Sequence, residues 1–204
     1  MIRGLLDKLP ANKAKLIKQL GSRNNPLALQ AVEQLRNKGW LKDGSLKALD
    51  LSGANLAEAK LAHANLEGAQ LENCNLERAY FGEANLRRAN LRGANLQGAN
   101  LRDGHFSEAN LSDATLTGAY VAVCDLHNAN LTNSQLNESN LWGANLRGAN
   151  LTAADLRDAL LTSTKFDETT TLPDGTPWSP ETDMSRFTDA SHPHFWRANH
   201  NHKR

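Results

Sequence analysis

ANLRGANLQGANL, residues 89–101, repeats one five-residue phrase almost without change. The phrase carries the rhythm of most of the chain. From Leu51 an apolar residue returns at every fifth position as far as Phe166, with Phe81, Phe106 and Val121 standing in for Leu and Leu46 one step earlier. Two residues before each sits a small one, mostly Ala; Cys74, Gly104, Cys124, Ser134, Ser139 and Thr164 vary it, and only Leu49 is large. A period of five fits neither a helix, where it would walk Leu around every face, nor a flat strand, where it would flip Leu between faces. The chain must bend once per repeat. Gly53, Gly68, Gly93, Gly98, Gly118, Gly143 and Gly148 all fall two after the apolar residue, where a turn needs freedom. A chain bending so regularly winds into a coil whose turns stack at about 4.8 Å.

Composition narrows the function classes. The chain has 204 residues and a formal charge of +1, so no global field selects nucleic acid. The charge is uneven: residues 1–45 carry nine Lys/Arg against three Asp/Glu, and residues 46–168 carry ten against fifteen. No apolar run approaches a membrane span, and the first twenty residues lack a signal peptide's apolar middle. The expectation is a cytoplasmic protein without a membrane segment. Cys74 and Cys124 occupy Ala positions and read as buried small residues, not a disulfide or a metal pair.

The A(N/D)LxG rhythm over Asp50 to Glu168 resembles the pentapeptide-repeat family. The resemblance implies a mainly β fold: a right-handed quadrilateral parallel β-helix, four pentapeptides to a coil, about six coils in all. Central Leu and the small residue two before it would point inward; Leu86, Leu91, Leu96, Leu101, Phe106 and Leu111 would form part of the core ladder. Domain organisation follows as residues 1–45, an α-helical N-terminal cap; 46–168, the β-helix; and 169–204, a C-terminal extension packing back on the rod.

If a coil is twenty residues, positions i and i+20 stack, and surface columns become legible. Gln70, Asn90, Asn110, Asn130 and Asn150 form an amide column able to bond along the rod. Arg87, Arg88, Arg92 and Arg102 form a candidate basic patch, but Glu67 would stack below Arg87 and Glu72 below Arg92, neutralising it. No aromatic residues interleave with these arginines, so nucleic acid is not the expected partner. One column differs: Lys60, Tyr80, Asn100, Tyr120, Asn140, Leu160, followed two positions on by Ala62, Gly82, Arg102, Ala122, Trp142, Thr162. Tyr80, Tyr120, Ala122, Val123, Trp142 and Leu160 therefore define a candidate interaction face, an apolar patch that a partner or the chain's own tail should cover.

Both ends of such a rod need caps. Asn12–Leu20 and Pro26–Asn37 read as two amphipathic helices, a hairpin loosely similar to a HEAT-type repeat, ended near Gly21 and Gly39. Lys8, Lys13, Lys15 and Lys18 could instead meet an acidic surface. After Phe166 the rhythm is expected to stop. The tail holds Trp178, Phe187, Phe195 and Trp196, too aromatic for a disordered segment; it should cover the last coil or the Tyr120/Trp142 face. His192, His194, His200 and His202 read as an incidental solvated set, not a metal site.

No nucleophile triad, phosphate loop or metalloprotease motif is present, and flat faces offer no cleft to perturb a carboxylate. The expectation is a non-catalytic scaffold without cofactor, monomeric or dimeric, binding a protein partner through rod faces and caps. The family supplies an alternative, a DNA-mimic binder of DNA gyrase of the quinolone-resistance type. That role needs strongly negative faces, which Arg87, Arg88, Arg92, Arg102 and Arg147 interrupt.

Overall fold

The computed structural model describes residues 9–197. Its centre is a parallel β-helix. Residues twenty apart are bridged in parallel all along the rod, from Asp50↔Gln70 to Asn145↔Lys165. Each side of a coil is too short to be a strand and contributes a single bridge, because a bend follows every five residues. The bend is a hydrogen-bonded turn, as from Ala99 N–H to Leu96 C=O (3.0 Å). At every fifth position from 53 to 163 the backbone is left-handed, with φ between 53° and 71°, whether the residue is glycine or not. A non-glycine residue there costs about 1–2 kcal/mol. The inter-coil bonds made by the same turn, such as Arg88 N–H to Ser107 C=O (3.0 Å), oppose that cost.

The inside is two nested ladders. The central residues Leu86, Leu91, Leu96, Leu101, Phe106 and Leu111 have no exposed surface, and neither do the alanines beside them. Little room remains in so narrow a tube. At Gly104 a Cβ would stand 2.7 Å from the Phe106 ring, so the bulkier central residue has been matched by the loss of a methyl group. Cys74 and Cys124 are buried, and burial pushes the Cys74 thiol up to about 11 and the Cys124 thiol well above its ordinary value.

Helices α1 (Ala11–Leu20) and α2 (Asn25–Asn37) close the N-terminal end. Asn24 caps α2 by accepting from the Leu27 amide. Leu16, Ile17 and Leu20 of α1 and Ala28, Ala31, Val32 and Leu35 of α2 are buried in one cluster with the first Leu rungs. Backbone groups that a lower coil would satisfy find partners in the cap: Asn55 donates to Ser22 C=O (2.9 Å) and Asn65 to Leu41 C=O (2.8 Å). Lys13 is itself buried, salt-bridged to Asp43 and set over the Trp40 ring at 5.1 Å. It therefore does not join Lys15 and Lys18 on the outer surface; Lys8 lies outside the described residues.

The C-terminal end shows where the sequence-based expectation fails. The rhythm does not stop at Phe166. It slips by one residue and makes one more step: Asn150 bridges Thr171, twenty-one residues on. Thr170 takes the small inward place, fully buried with its hydroxyl on Leu146 C=O (3.0 Å), and Leu172 takes the central one. The extra residue hides the phase. Asp167 holds the slipped turn by accepting from the amides of Gly148 and Thr169. The chain then reverses, Thr171 pairing antiparallel with Pro177. Beyond it lies a short helix, α3 (Ser185–Thr188), whose Phe187 is buried. Trp178 stacks on Phe166 (5.9 Å between centroids) and Trp196 meets Phe187 edge-on (6.1 Å). Among the described residues, no helix is long and apolar enough to cross a membrane.

Candidate interaction face

The four sides of the rod differ in chemistry. The Asn110 side is a closed polar ladder: Asn90 donates to Gln70 (3.2 Å), Asn110 to Asn90 (3.3 Å) and Asn130 to Asn110 (3.2 Å). Its amides are used up along the rod axis and leave little for a ligand.

The arginines are also engaged, though not as the columns suggested. Arg88 grips Glu108 with two nitrogens (2.9 and 3.2 Å), Arg92 meets Asp113 (3.2 Å), and Arg102 turns to its neighbour Asp103 (3.0 Å). Glu67 pairs with Lys47 at 2.8 Å and not with Arg87, while Glu72 accepts from Asn90 (2.7 Å) and makes no ion pair with Arg92. Arg88 and Arg92 reach towards the C-terminal end of the rod, where the left-handed corner positions offer Glu108 and Asp113. A hydrogen bond from Lys47 holds the Glu67 carboxyl below its ordinary range, and one from Arg88 does the same for Glu108. Three of the four arginines are thus each drawn to a separate carboxylate, and Arg87 makes no ion pair with Glu67.

The Tyr120 side is different. Tyr80, Tyr120, Val123, Trp142 and Leu160 are 45%, 38%, 43%, 50% and 58% exposed. Ala122, placed with them on sequence grounds, is buried. At Gly82 the Tyr80 hydroxyl lies 2.8 Å from where a Cβ would stand, so that ring folds over the glycine two places on in a placement a Cβ would obstruct. Ala122 holds the equivalent place after Tyr120. Along the column, Tyr80, Tyr120 and Leu160 stand two coils apart, about 10 Å, with Asn100 and Asn140 between.

These exposed residues are held at a cost to stability. Where Asn occupies the column, its Oδ1 accepts the amide two residues on, as Asn100 does from Arg102 (3.1 Å) and Asn140 from Trp142 (3.0 Å). Tyr80, Tyr120 and Leu160 have no acceptor there, which gives up about 1 kcal/mol each. Val123 is in left-handed backbone at φ 59°, and among the described residues it is the one β-branched aliphatic residue so placed.

Elsewhere nothing converges. His192 is tied to Asp183 at 3.1 Å, His194 is exposed, and His200 and His202 lie outside the described residues. Among the described residues no three His, Cys, Asp or Glu come together as a metal would need. A cleft between the last coil and the tail is lined by Leu156, Phe187, Phe195 and Trp196, with the Asp155–Arg157 pair at its rim. It runs out to Arg197, where the described residues end.

Residues 64–150 match the family described as "Pentapeptide repeat region". No curated protein matched the chain in sequence. Among solved structures, the chain is similar to the pentapeptide repeat protein Rfr23 of the cyanobacterium Cyanothece 51142, at 26% identity over 68% of this chain and 99% of that one (TM-score 0.45). It is similar to a pentapeptide repeat protein of the Arabidopsis thaliana thylakoid lumen, at 30% identity over 56% and 66% of the two chains (TM-score 0.39). QnrB1, a plasmid-mediated fluoroquinolone resistance protein, also matches, at 19% identity over 59% and 79% (TM-score 0.30). The five-residue rhythm, the twenty-residue coil and the family match agree: residues 64–150 of this chain are a pentapeptide-repeat region.

Proposed function

We propose that this protein is a non-catalytic scaffold, a right-handed quadrilateral β-helix of about six coils that docks a protein partner on its Tyr120 side. One observation carries the proposal: Val123, exposed in a backbone conformation that disfavours it, stands among exposed Tyr120, Trp142 and Leu160. Aromatic residues of this kind anchor protein interfaces. The other sides spend their polar groups internally, through the amide ladder and the inter-coil ion pairs. Residues 1–45 and 169–204 act as caps in this reading, supported by the burial of Leu16, Ile17, Leu20, Val32 and Leu35 at one end and of Leu172 and Phe187 at the other.

The experiment is a pull-down from native lysate with mass-spectrometric identification, comparing wild type with Trp142→Glu and Tyr120→Glu. Both substitutions lie on exposed side chains and should leave folding intact. Loss of one defined partner from both folded variants is the expected result. A partner held equally by wild type and variants would move the docking site to the helical cap, and would end the proposal for this face.

A further inference from the structure

The C-terminal end of the rod is closed unevenly. Over the Asn110 side the tail supplies a full set of bonds: Leu151 N–H to Thr171 C=O and Ala153 N–H to Pro173 C=O, both 2.8 Å. At the next corner Asp158 N–H reaches Thr188 C=O (2.8 Å), and beyond the Tyr120 side Phe166 is stacked by Trp178. Over the Tyr120 side itself the described residues of the tail supply no backbone hydrogen bond, as they supply none to the Leu156 and Phe166 amides on the sides before and after it. Among the described residues, the amides of Leu161 and Ser163 and the carbonyl of Ala159 have no hydrogen-bond partner. One coil lower the same three groups are filled: Leu141 N–H bonds Leu160 C=O (2.9 Å), Gly143 N–H bonds Thr162 C=O (3.0 Å), and Ser139 C=O accepts from Leu160 N–H (2.9 Å). Leu160, Thr162 and Ser163 are exposed at this edge.

Two donors and an acceptor in β-ladder spacing are the complement of an extended polypeptide backbone. We infer that this edge receives a short extended segment of a partner protein, added in parallel as one more side of the rod; the inference rests on reading the Tyr120 side as the docking face. One residue of the segment bridges Leu160, donating to Ala159 C=O and accepting from Leu161 N–H. The residue two further on accepts from Ser163 N–H. The outward side chain of the bridging residue stands in column with Leu160, one coil above it and two above Asn140, and is apolar. Exposed Glu138 and Asp158 flank the point where the segment enters, and exposed Lys165 lies where it leaves. The segment therefore carries Arg or Lys before its apolar residue and Asp or Glu after it.

The test uses peptides selected from a phage-displayed library of unstructured sequences against the immobilised full-length protein. Binding is measured to wild type, Thr162→Pro and Trp142→Glu, and amide exchange is followed by NMR. Proline suits Thr162, the first central position of the turn closed by Thr164 N–H on Leu161 C=O (3.1 Å), with Ser163 at φ 60°. Its ring blunts the edge for an incoming strand while leaving Trp142 untouched. Leu160→Lys serves the same end should Thr162→Pro lower the melting temperature. The expected peptides read basic, apolar, acidic; they slow exchange at Leu161 and Ser163 and lose about tenfold in affinity to Thr162→Pro. Peptides lost by Trp142→Glu that leave both amides unprotected would overturn the edge and keep the face. Peptides indifferent to both variants would overturn the two readings together, and recovery of no peptide would overturn the edge. Protection of the two amides on raising protein concentration alone, with a dimer in sedimentation, would assign the edge to a second copy instead.

Discussion

The amide of Val123 donates to the carbonyl of Trp142, one coil above, at 2.9 Å. The bond ties the strained corner of one coil to the most exposed aromatic residue of the next. Val123 also makes ordinary contact with the space over Gly143 (3.9 Å), so its side chain has room but its backbone does not suit it.

Val123→Gly should therefore stabilise the rod. Glycine occupies the same turn position at Gly118 and Gly143 with φ of 64° and 66°. Relief of the left-handed penalty is worth about 1 kcal/mol, reduced by glycine's greater freedom in the unfolded chain. The chemical-denaturation midpoint should rise while affinity for the partner falls. A midpoint that fell would show that Val123 packs usefully and that its strain is repaid within the fold.

The ladder itself should be sensitive in both directions. Leu96→Ala leaves a void in a closed tube and should cost about 2–5 kcal/mol. Ala99→Leu, at a fully buried position, should be at least as damaging because the neighbouring coils cannot move apart without breaking bridges. Circular dichroism melts of the two variants give the comparison, and a tolerated Ala99→Leu would contradict the packing described.

The N-terminal cap should loosen in acid. Burial opposes ionisation of Asp43, but hydrogen bonds from Lys13 and Ser45 outweigh it, and its pKa is lowered from the ordinary 3.8. A lowered carboxyl contributes stability that is complete above its unfolded value and is lost as pH falls through the folded one. Trp40 fluorescence should thus report the cap opening below about pH 4. Asp43→Asn leaves the Lys13 ammonium buried without its counter-charge, so it should destabilise the cap at neutral pH by about 1–3 kcal/mol and flatten the acid response. An unchanged acid profile in this variant would exclude Asp43 as the cause.

The slipped step at the C-terminus makes a separate prediction. Thr170→Val removes the donor to the Leu146 carbonyl and should cost about 1–3 kcal/mol. Leu172→Ala should cost about 2–5 kcal/mol, as for a core Leu. If Leu172→Ala behaved like a surface substitution, the tail would not be continuing the core.

Paired surface charge bears on the gyrase alternative. With Arg88 on Glu108 and Arg92 on Asp113, the rod lacks an unbroken negative face. Excess protein should leave gyrase supercoiling unchanged; inhibition or protection in that assay would restore the mimic reading.

The sequence determined the rod almost alone. Its five-residue period required one bend per repeat and hence a coil; the twenty residues per coil were what the family resemblance implied, and the bridges between residues twenty apart agree with it. It also marked Tyr80, Tyr120, Val123, Trp142 and Leu160, since outward positions are identified by their place in the phrase. What it left open depended on directions and on phase. Ala122 is buried beside exposed Tyr120, and residue order does not encode which neighbours cover it. Glu67 pairs with Lys47 because long side chains choose among several neighbours at similar distance. The step at Thr170–Leu172 was hidden by one inserted residue, since a periodic signal survives substitution but not a slip. The tertiary structure alone decided where the described tail bonds to the rod end, because its bonds to Leu151, Ala153 and Asp158 join residues far apart in sequence that no local pattern relates.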